Sequence, residues 1–142
     1  MPAVENCWTL EDARHIAEHA QPGSRVLLMG AGFIGCIIME ALIRREVQLT
    51  VVEMGDRMVP RMMDQVAGNL IKRWCIEHGV EVRTATRALS VAPDPTGEAR
   101  FVMQCDPAGA IPADLIVVAT GVRPNVEFLA GSGVECDRGV LV

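Results

Sequence analysis

Three glycines, Gly30, Gly32 and Gly35, have the G-x-G-x-x-G spacing of a turn that binds phosphate. The first glycine permits a tight turn, the second lets the backbone approach a pyrophosphate, and the third allows a helix to pack closely on a strand. The N–H groups at the start of the following helix then face the anion, and the helix dipole favours negative charge by up to ~2 kcal/mol. The predicted pyrophosphate site comprises Gly30, Ala31, Gly32, Phe33, Ile34 and Gly35.

An acidic residue, Glu53, stands about 20 residues further along, at the end of the apolar run 49–52. A carboxylate in this place can accept hydrogen bonds from both ribose hydroxyls of an adenosine, whereas a 2'-phosphate would be repelled. Like unit charges about 4 Å apart repel by ~1 kcal/mol in water and by ~4 kcal/mol at an effective dielectric of 20. We therefore expect NAD(H) to be preferred over NADP(H) by about tenfold or more. Arg57 and Arg61 could pair with a phosphate and weaken this preference, but we favour solvated loop charges for both.

The elements that must position these residues alternate between strand and helix. Short apolar runs at 26–29 and 115–119 are typical of strands buried in a parallel sheet, and further strands are predicted at 49–52 and 80–83. Helices are predicted after Thr9, which forms a capping box with Asp12, after the glycine turn, and after Asp64.

A different pattern lies between the third and fourth of these strands. Strand-like runs at 89–91 and 100–105 are separated by the turn-forming stretch 93–97, and a second turn is predicted at 106–109. The fold class expected is α/β, a Rossmann-like domain with a central parallel sheet, flanking helices and a small antiparallel β-meander. The domain is expected over residues 9–142, after a leader or linker over residues 1–8.

Composition excludes several other classes of protein. The chain has 142 residues, a formal net charge of -5 and a single lysine, which argues against binding to nucleic acid. Its longest apolar stretches are far shorter than the roughly 20 residues of a membrane helix. The five cysteines form no C-x-x-C pair, so we expect reduced thiols in a cytoplasmic protein. His15, Glu18 and His19 match H-x-x-E-H but lack a third ligand, so no metal site is predicted.

Two separated motifs resemble one known family. Residues 26–35 with 51–53, and the stretch 114–125 with Ala119-Thr120-Gly121, are similar to the NAD(H)-binding domain of the FAD-dependent pyridine nucleotide-disulfide oxidoreductases. The resemblance covers nearly the whole chain. In that family the second motif is a strand that ends in A-T-G beside the dinucleotide.

The resemblance implies a role for several further positions. Ala88 would flank the adenine and Gly121 would lie near the nicotinamide half, while Met54, Ala119 and Thr120 would also bind the dinucleotide. It also implies that NADH is positioned for hydride transfer to FAD bound by a missing part of a longer chain. The isolated domain would hold no catalytic residue and would not turn over. Its partners would be the FAD domain of the same longer chain and an unknown electron acceptor. The longer protein could be either a monomer or a homodimer.

One residue of the chain, Ile37, departs from the family pattern. Family members often have Glu where this chain has Ile37, which predicts altered hydride transfer.

The alternative function is a regulatory NAD-sensing Rossmann module without catalysis, against which the excursion at 93–110 and the A-T-G stretch argue. A short-chain dehydrogenase would need a catalytic Tyr, and the chain has none. A methyltransferase that uses S-adenosylmethionine would not usually carry the A-T-G strand end.

Overall fold

The computed structural model describes residues 4–142. In chain order, the elements are β1 (Val4–Asn6), α1 (Leu10–His19), β2 (Arg25–Met29), α2 (Phe33–Ile43), β3 (Gln48–Val52), α3 (Gln65–Glu77), β4 (Glu81–Arg83), β5 (Arg87–Pro93), β6 (Phe101–Asp106), β7 (Gly109–Ala113), β8 (Leu115–Val118) and a 3-10 helix (Glu127–Leu129). Strands β1-β8-β2-β3-β4 form a parallel sheet, and β5-β6-β7 form a separate antiparallel sheet. The predicted fold class is confirmed.

Strand β1 differs from the prediction, because Val4–Asn6 falls within the expected leader. It pairs in parallel with β8, with Val4 opposite Ile116 and Asn6 opposite Val118. Three residues that include Glu and Asn carry no periodic signal of a strand, so only the edge of the sheet that β8 offers reveals this pairing. Residues 1–3 of the predicted leader lie outside the described residues.

Strand β7 was also missed, since the sequence indicated only a turn before residue 110. It pairs with β6 and buries Ile111 and Ala113 on one face while Ala110 and Pro112 are exposed. Pro112 obscures the strand in the sequence, because proline cannot donate to a ladder and is confined to edge strands or bulges. β7 lies at the edge of its sheet, where that proline is tolerated.

The two predicted helix caps are confirmed. Thr9 Oγ1 accepts a hydrogen bond from the Asp12 N–H at 3.1 Å, and the Asp12 carboxylate accepts one from the Thr9 N–H at 2.9 Å. Asp64 Oδ1 accepts one from the Ala67 N–H at 2.8 Å. These side chains satisfy backbone N–H groups that have no partner inside the helix.

Three central strands bring the predicted site residues to one edge of the parallel sheet. β2 lies between β3 and β8, and Met29 is opposite both Val52 and Val118. Their side chains form the core, with Leu28 and Val117 fully buried. Because parallel strands end at the same edge, the glycine turn, Glu53 and the A-T-G stretch meet there.

An ion pair joins the start of β2 to the end of the antiparallel sheet. The Arg25 guanidinium donates to both oxygens of Asp114, through Nε and Nη2, each at 2.9 Å. Asp114 also accepts from the backbone N–H groups of Arg25 at 3.1 Å and Arg100 at 3.3 Å. The bond with the Arg25 side chain is the largest cause that holds the pKa of Asp114 below its ordinary value of 3.8.

Replacement of Asp114 with asparagine is expected to lower the free energy of unfolding by about 1–2 kcal/mol at pH 7. Because the folded-state pKa of Asp114 is lowered, its contribution is complete above pH 3.8 and is lost as pH falls through the folded-state value. Urea unfolding followed by circular dichroism should therefore show a smaller difference between variant and wild type at pH 3 than at pH 7. Asp106→Asn is the control, since Asp106 is exposed and makes no ion pair within residues 4–142. An equal difference at both pH values would contradict the assignment.

Candidate functional site

A cleft of about 640 Å³ opens at the edge of the sheet where β2, β3 and β8 end. Most of the predicted site residues line it. These are Gly30, Gly32, Phe33, Ile34, Glu53, Met54, Ala88, Ala119, Thr120 and Gly121. Ala31 and Gly35 do not line the cleft but lie behind it, fully or largely buried.

Two glycines of the turn are required by close packing. Gly30 has a φ of +96°, and a Cβ atom there would lie 2.5 Å from the Ala119 carbonyl oxygen. A Cβ atom at Gly35 would lie 2.2 Å from the Gly30 carbonyl oxygen. Both distances are far below van der Waals contact, so no other residue fits without movement of the backbone.

Gly32 has a different role in the same turn. No atom lies within 4 Å of the place where its Cβ would be, and Gly32 lines the cleft. A side chain there would occupy cleft space that the backbone now leaves open. This is the geometry expected of the glycine that lets a pyrophosphate approach the backbone.

The start of helix α2 faces the cleft without a side-chain cap of its own. Gly32 is its N-cap residue and provides no side-chain hydrogen bond, and the first turn contains no acidic residue. In contrast, α1 is capped by Thr9 and α3 by Asp64. The N–H groups of the first turn of α2 therefore remain available to an anion.

Glu53 holds the two walls of the cleft together, a role that sequence reasoning missed. Its Oε2 accepts a hydrogen bond from the Ala31 N–H at 2.7 Å, and its Oε1 accepts one from the Gly55 N–H at 2.6 Å. The Ala31 N–H is thus used inside the protein, which differs from its predicted place among the phosphate-binding residues. Each carboxylate oxygen keeps a further lone pair, so ribose hydroxyls can still donate to Glu53.

The loop 54–63, which follows β3 and forms one cleft wall, is fixed at several points. The Val59 N–H donates to the Ala31 carbonyl at 2.8 Å, and the Gly55 carbonyl accepts from the Ala85 N–H at 2.7 Å. The side chain of Met58 is fully buried below the loop. No local signal in the sequence indicates which of the methionines in this loop enters the core.

Arg57 differs from the solvated charge that the sequence suggested. Its guanidinium donates to the carbonyl oxygens of Met63 at 2.9 Å and Pro60 at 3.1 Å, and pairs with Asp56 at 2.7 Å. These bonds tie the loop to itself. Arg57 is therefore a structural residue of the cleft wall.

The cysteines lie away from the cleft. Burial raises the pKa of the Cys75 thiol to about 11 and also raises the pKa values of Cys7, Cys36 and Cys105. No thiol lines the cleft. A raised pKa leaves less thiolate at neutral pH, so these four thiols are poor nucleophiles.

Residues 4–142 contain neither a cluster of metal-ligating side chains nor a membrane-spanning helix. No three or more His, Cys, Asp or Glu side chains gather in a group that could hold a metal ion. None of the helices in this part of the chain has the length and apolarity needed to cross a membrane.

Ile37 lies outside the cleft. It is 58% exposed on α2 and lines a separate groove of about 550 Å³ between α1 and α2, together with Cys7 and Ile16. None of the predicted dinucleotide-binding residues lines that groove. The departure from the family pattern at this position therefore does not alter the cleft itself.

Comparison with known proteins gives matches over the whole chain. The family model described as pyridine nucleotide-disulphide oxidoreductase matches residues 1–142. The epsilon subunit of NADH-dependent phenylglyoxylate dehydrogenase from Aromatoleum evansii is 31% identical over 94% of this chain and 31% of its own length. Rhodocoxin reductase from Rhodococcus erythropolis is 32% identical over 100% of this chain and 33% of its own length.

A solved structure agrees with the fold. The water-forming NADH oxidase from Lactobacillus brevis, bound to NADH, superposes with a TM-score of 0.84 and is 25% identical, over 96% of this chain and 29% of that one. This chain spans about a third of the length of the curated relatives that it matches. The resemblance inferred from the two nucleotide motifs is confirmed by a family match that covers every residue. The chain belongs to the pyridine nucleotide-disulphide oxidoreductase family.

Proposed function

We propose that this chain is the NADH-binding domain of an FAD-dependent oxidoreductase and that it positions NADH for hydride transfer to FAD held elsewhere in a longer protein. The observation that carries the proposal is the meeting of Gly32, Glu53 and Gly121 in one cleft. They come from the ends of three adjacent parallel strands, which is where open α/β sheets bind ligands.

The cleft has a distinct group of residues for each part of the dinucleotide. Glu53, with Met54 and Ala88 beside it, would hold the adenosine half. The backbone at Gly32 and the start of α2 would hold the pyrophosphate. The remaining length of the cleft leads to Gly121, which leaves that end for the nicotinamide.

The chain's contribution to catalysis is positioning. NADH, when bound, supplies the hydride, and no side chain of this domain has to accept or donate a proton for that transfer. Holding the nicotinamide in one orientation against the flavin converts an encounter between two molecules into a reaction within one complex.

The relatives support the proposal and limit it. The names of two of these similar proteins, the phenylglyoxylate dehydrogenase subunit and the NADH oxidase, state the use of NADH. The structure of the NADH oxidase was solved with NADH bound. The same names describe different overall reactions although the proteins share this domain. The electron acceptor is therefore chosen by another part of the protein. The antiparallel sheet and the A-T-G stretch favour this function over a regulatory NAD-sensing module.

The proposal is tested by titrating the 142-residue chain with NADH and NADPH and following nucleotide fluorescence anisotropy. We expect NADH to bind weakly, with a Kd of about 10–1,000 μM, because its nicotinamide end would face solvent without a flavin domain. NADPH should bind about tenfold or more weakly than NADH, and ADP-ribose should displace NADH. If neither NADH nor NADPH bound, the cofactor assignment would be refuted. If NADPH bound more tightly than NADH, the role of Glu53 would be refuted.

A further inference from the structure

We propose that Arg61 is a ligand of the dinucleotide's pyrophosphate and closes over it from the side of the cleft opposite helix α2. This inference rests on the proposed function and adds a residue to it. The backbone turn at 30–35 would hold the pyrophosphate from below, and the guanidinium would hold it from above.

The backbone at Arg61 has a fixed position. The N–H groups of Met62 and Met63 both donate to the Val59 carbonyl at 3.0 Å, and Arg57 binds the carbonyl oxygens of Pro60 and Met63 on either side. These bonds enclose residue 61 in a tight turn. The loop therefore presents the Arg61 side chain to the cleft, and only the side chain itself is free to move.

The guanidinium of Arg61 reaches the opposite wall of the cleft. Its Nη1 lies 4.0 Å from the place where a Cβ atom of Gly121 would be, and nothing else lies that close to this position. Arg61 and Gly121 both line the cleft, and they belong to opposite walls, the loop 54–63 and the segment after β8. Ala119, two residues before Gly121, packs against Gly30 of the phosphate-binding turn. The guanidinium therefore lies over the part of the cleft beside that turn, where a dinucleotide that extends from Glu53 to Gly121 would place its pyrophosphate.

The charges around Arg61 favour an anion there. Arg57 has a carboxylate and two carbonyls as partners, but Arg61 has no carboxylate within 4.0 Å in the described part of the chain. Glu53 is directed to the N–H groups of Ala31 and Gly55. The cleft thus contains an unpaired guanidinium together with the uncapped start of α2. A guanidinium and a helix start both bind phosphate oxygens well.

The test compares Arg61→Gln with wild type by isothermal titration with ADP-ribose, NADH, NADPH and adenosine. We expect Arg61→Gln to raise the Kd values of ADP-ribose, NADH and NADPH by about tenfold, and to leave that of adenosine unchanged because adenosine has no phosphate. Arg61→Lys should give an intermediate loss, since lysine keeps the charge without the planar fork. Arg73→Gln is the matched control, because it removes the same charge from the exposed face of α3 and does not line the cleft.

The outcomes separate this inference from the proposed function. If wild type binds NADH and Arg61→Gln binds ADP-ribose equally well, the role of Arg61 is refuted while the proposed function stands. A loss restricted to NADPH would show that Arg61 faces the 2'-phosphate, which also refutes a pyrophosphate ligand. If the folded wild-type chain binds neither ADP-ribose nor NADH, the proposed function itself fails, and the inference fails with it. Circular dichroism confirms that each variant is folded.

Discussion

Replacement of Gly35 with alanine is expected to lower the free energy of unfolding by about 3 kcal/mol and to abolish NADH binding. The new methyl group would lie 2.2 Å from the carbonyl oxygen of Gly30. The turn cannot move away easily, because the Gly30 N–H donates to the Val52 carbonyl at 2.8 Å and Gly30 itself packs on Ala119. Urea unfolding followed by circular dichroism measures the loss of stability.

Gly32→Ala is the matched control for this prediction. It adds the same methyl group to the same turn, but no atom lies within 4 Å of the position and the φ of Gly32 is -76°. Because an N-cap tolerates alanine at modest cost, stability should change by less than about 1 kcal/mol. The affinity for NADH should nevertheless fall by about tenfold, since the methyl group takes space that the pyrophosphate would use. Equal destabilisation by the two variants, or unchanged NADH affinity in Gly32→Ala, would refute this division of roles.

Local sequence signals predicted the elements that carry their own chemical markers. Thr9 and Asp64 are N-cap residues followed by helical patterns, and the apolar runs around them are strands of the central sheet. The glycine turn could be placed because its spacing, its preceding strand and its following helix all agree. At these positions the interactions join residues close in sequence, so the sequence window contains the whole signal.

The missed elements depend on partners far along the chain. β1 has only three residues and exists because β8, more than a hundred residues later, offers an edge with which it pairs. β7 contains Pro112 and becomes a strand only beside β6. For such segments the stabilising free energy comes from pairing and burial at the sheet, which no local pattern records.

The same distinction applies to the site. Sequence reasoning assigned Glu53 to the ribose from its place after a strand, but the hydrogen bonds to Ala31 and Gly55 depend on how two loops meet. Arg57 and Arg61 have the same residue type and lie four positions apart, so the same solvated-charge prediction applied to both. The structure separates them by their partners, because one binds the loop's own carbonyls and the other reaches across the cleft.

The double variant Glu53→Gln with Met54→Arg is expected to reverse the cofactor preference, so that NADPH binds more tightly than NADH. Met54 is 67% exposed and lines the cleft beside Glu53, so an arginine there can approach a 2'-phosphate without repacking the core. Glu53→Gln removes the negative charge that repels this phosphate. Together the two changes should alter the ratio of the NADPH and NADH Kd values by about a hundredfold.

The single variants divide this effect into its two causes. Met54→Arg keeps the bonds from Glu53 to Ala31 and Gly55, so it should strengthen NADPH binding with little change in stability. Glu53→Gln leaves one of these two N–H groups facing an amide NH₂, because a glutamine side chain has only one acceptor oxygen. Glu53→Gln should therefore weaken the binding of both NADH and NADPH and lower the free energy of unfolding by about 1–2 kcal/mol.

Met54→Gln controls for the longer polar side chain at position 54 without its charge. Anisotropy titrations of all four variants with NADH and NADPH, with urea unfolding of each, measure both effects. If Glu53→Gln improves NADPH binding and leaves stability unchanged, Glu53 acts only through its charge and does not hold the cleft walls. If Glu53→Gln loses stability and affinity for both nucleotides, the carboxylate that selects the cofactor also holds the cleft walls together. Cofactor specificity can then be changed without loss of affinity only by substitution of the neighbouring residue, Met54.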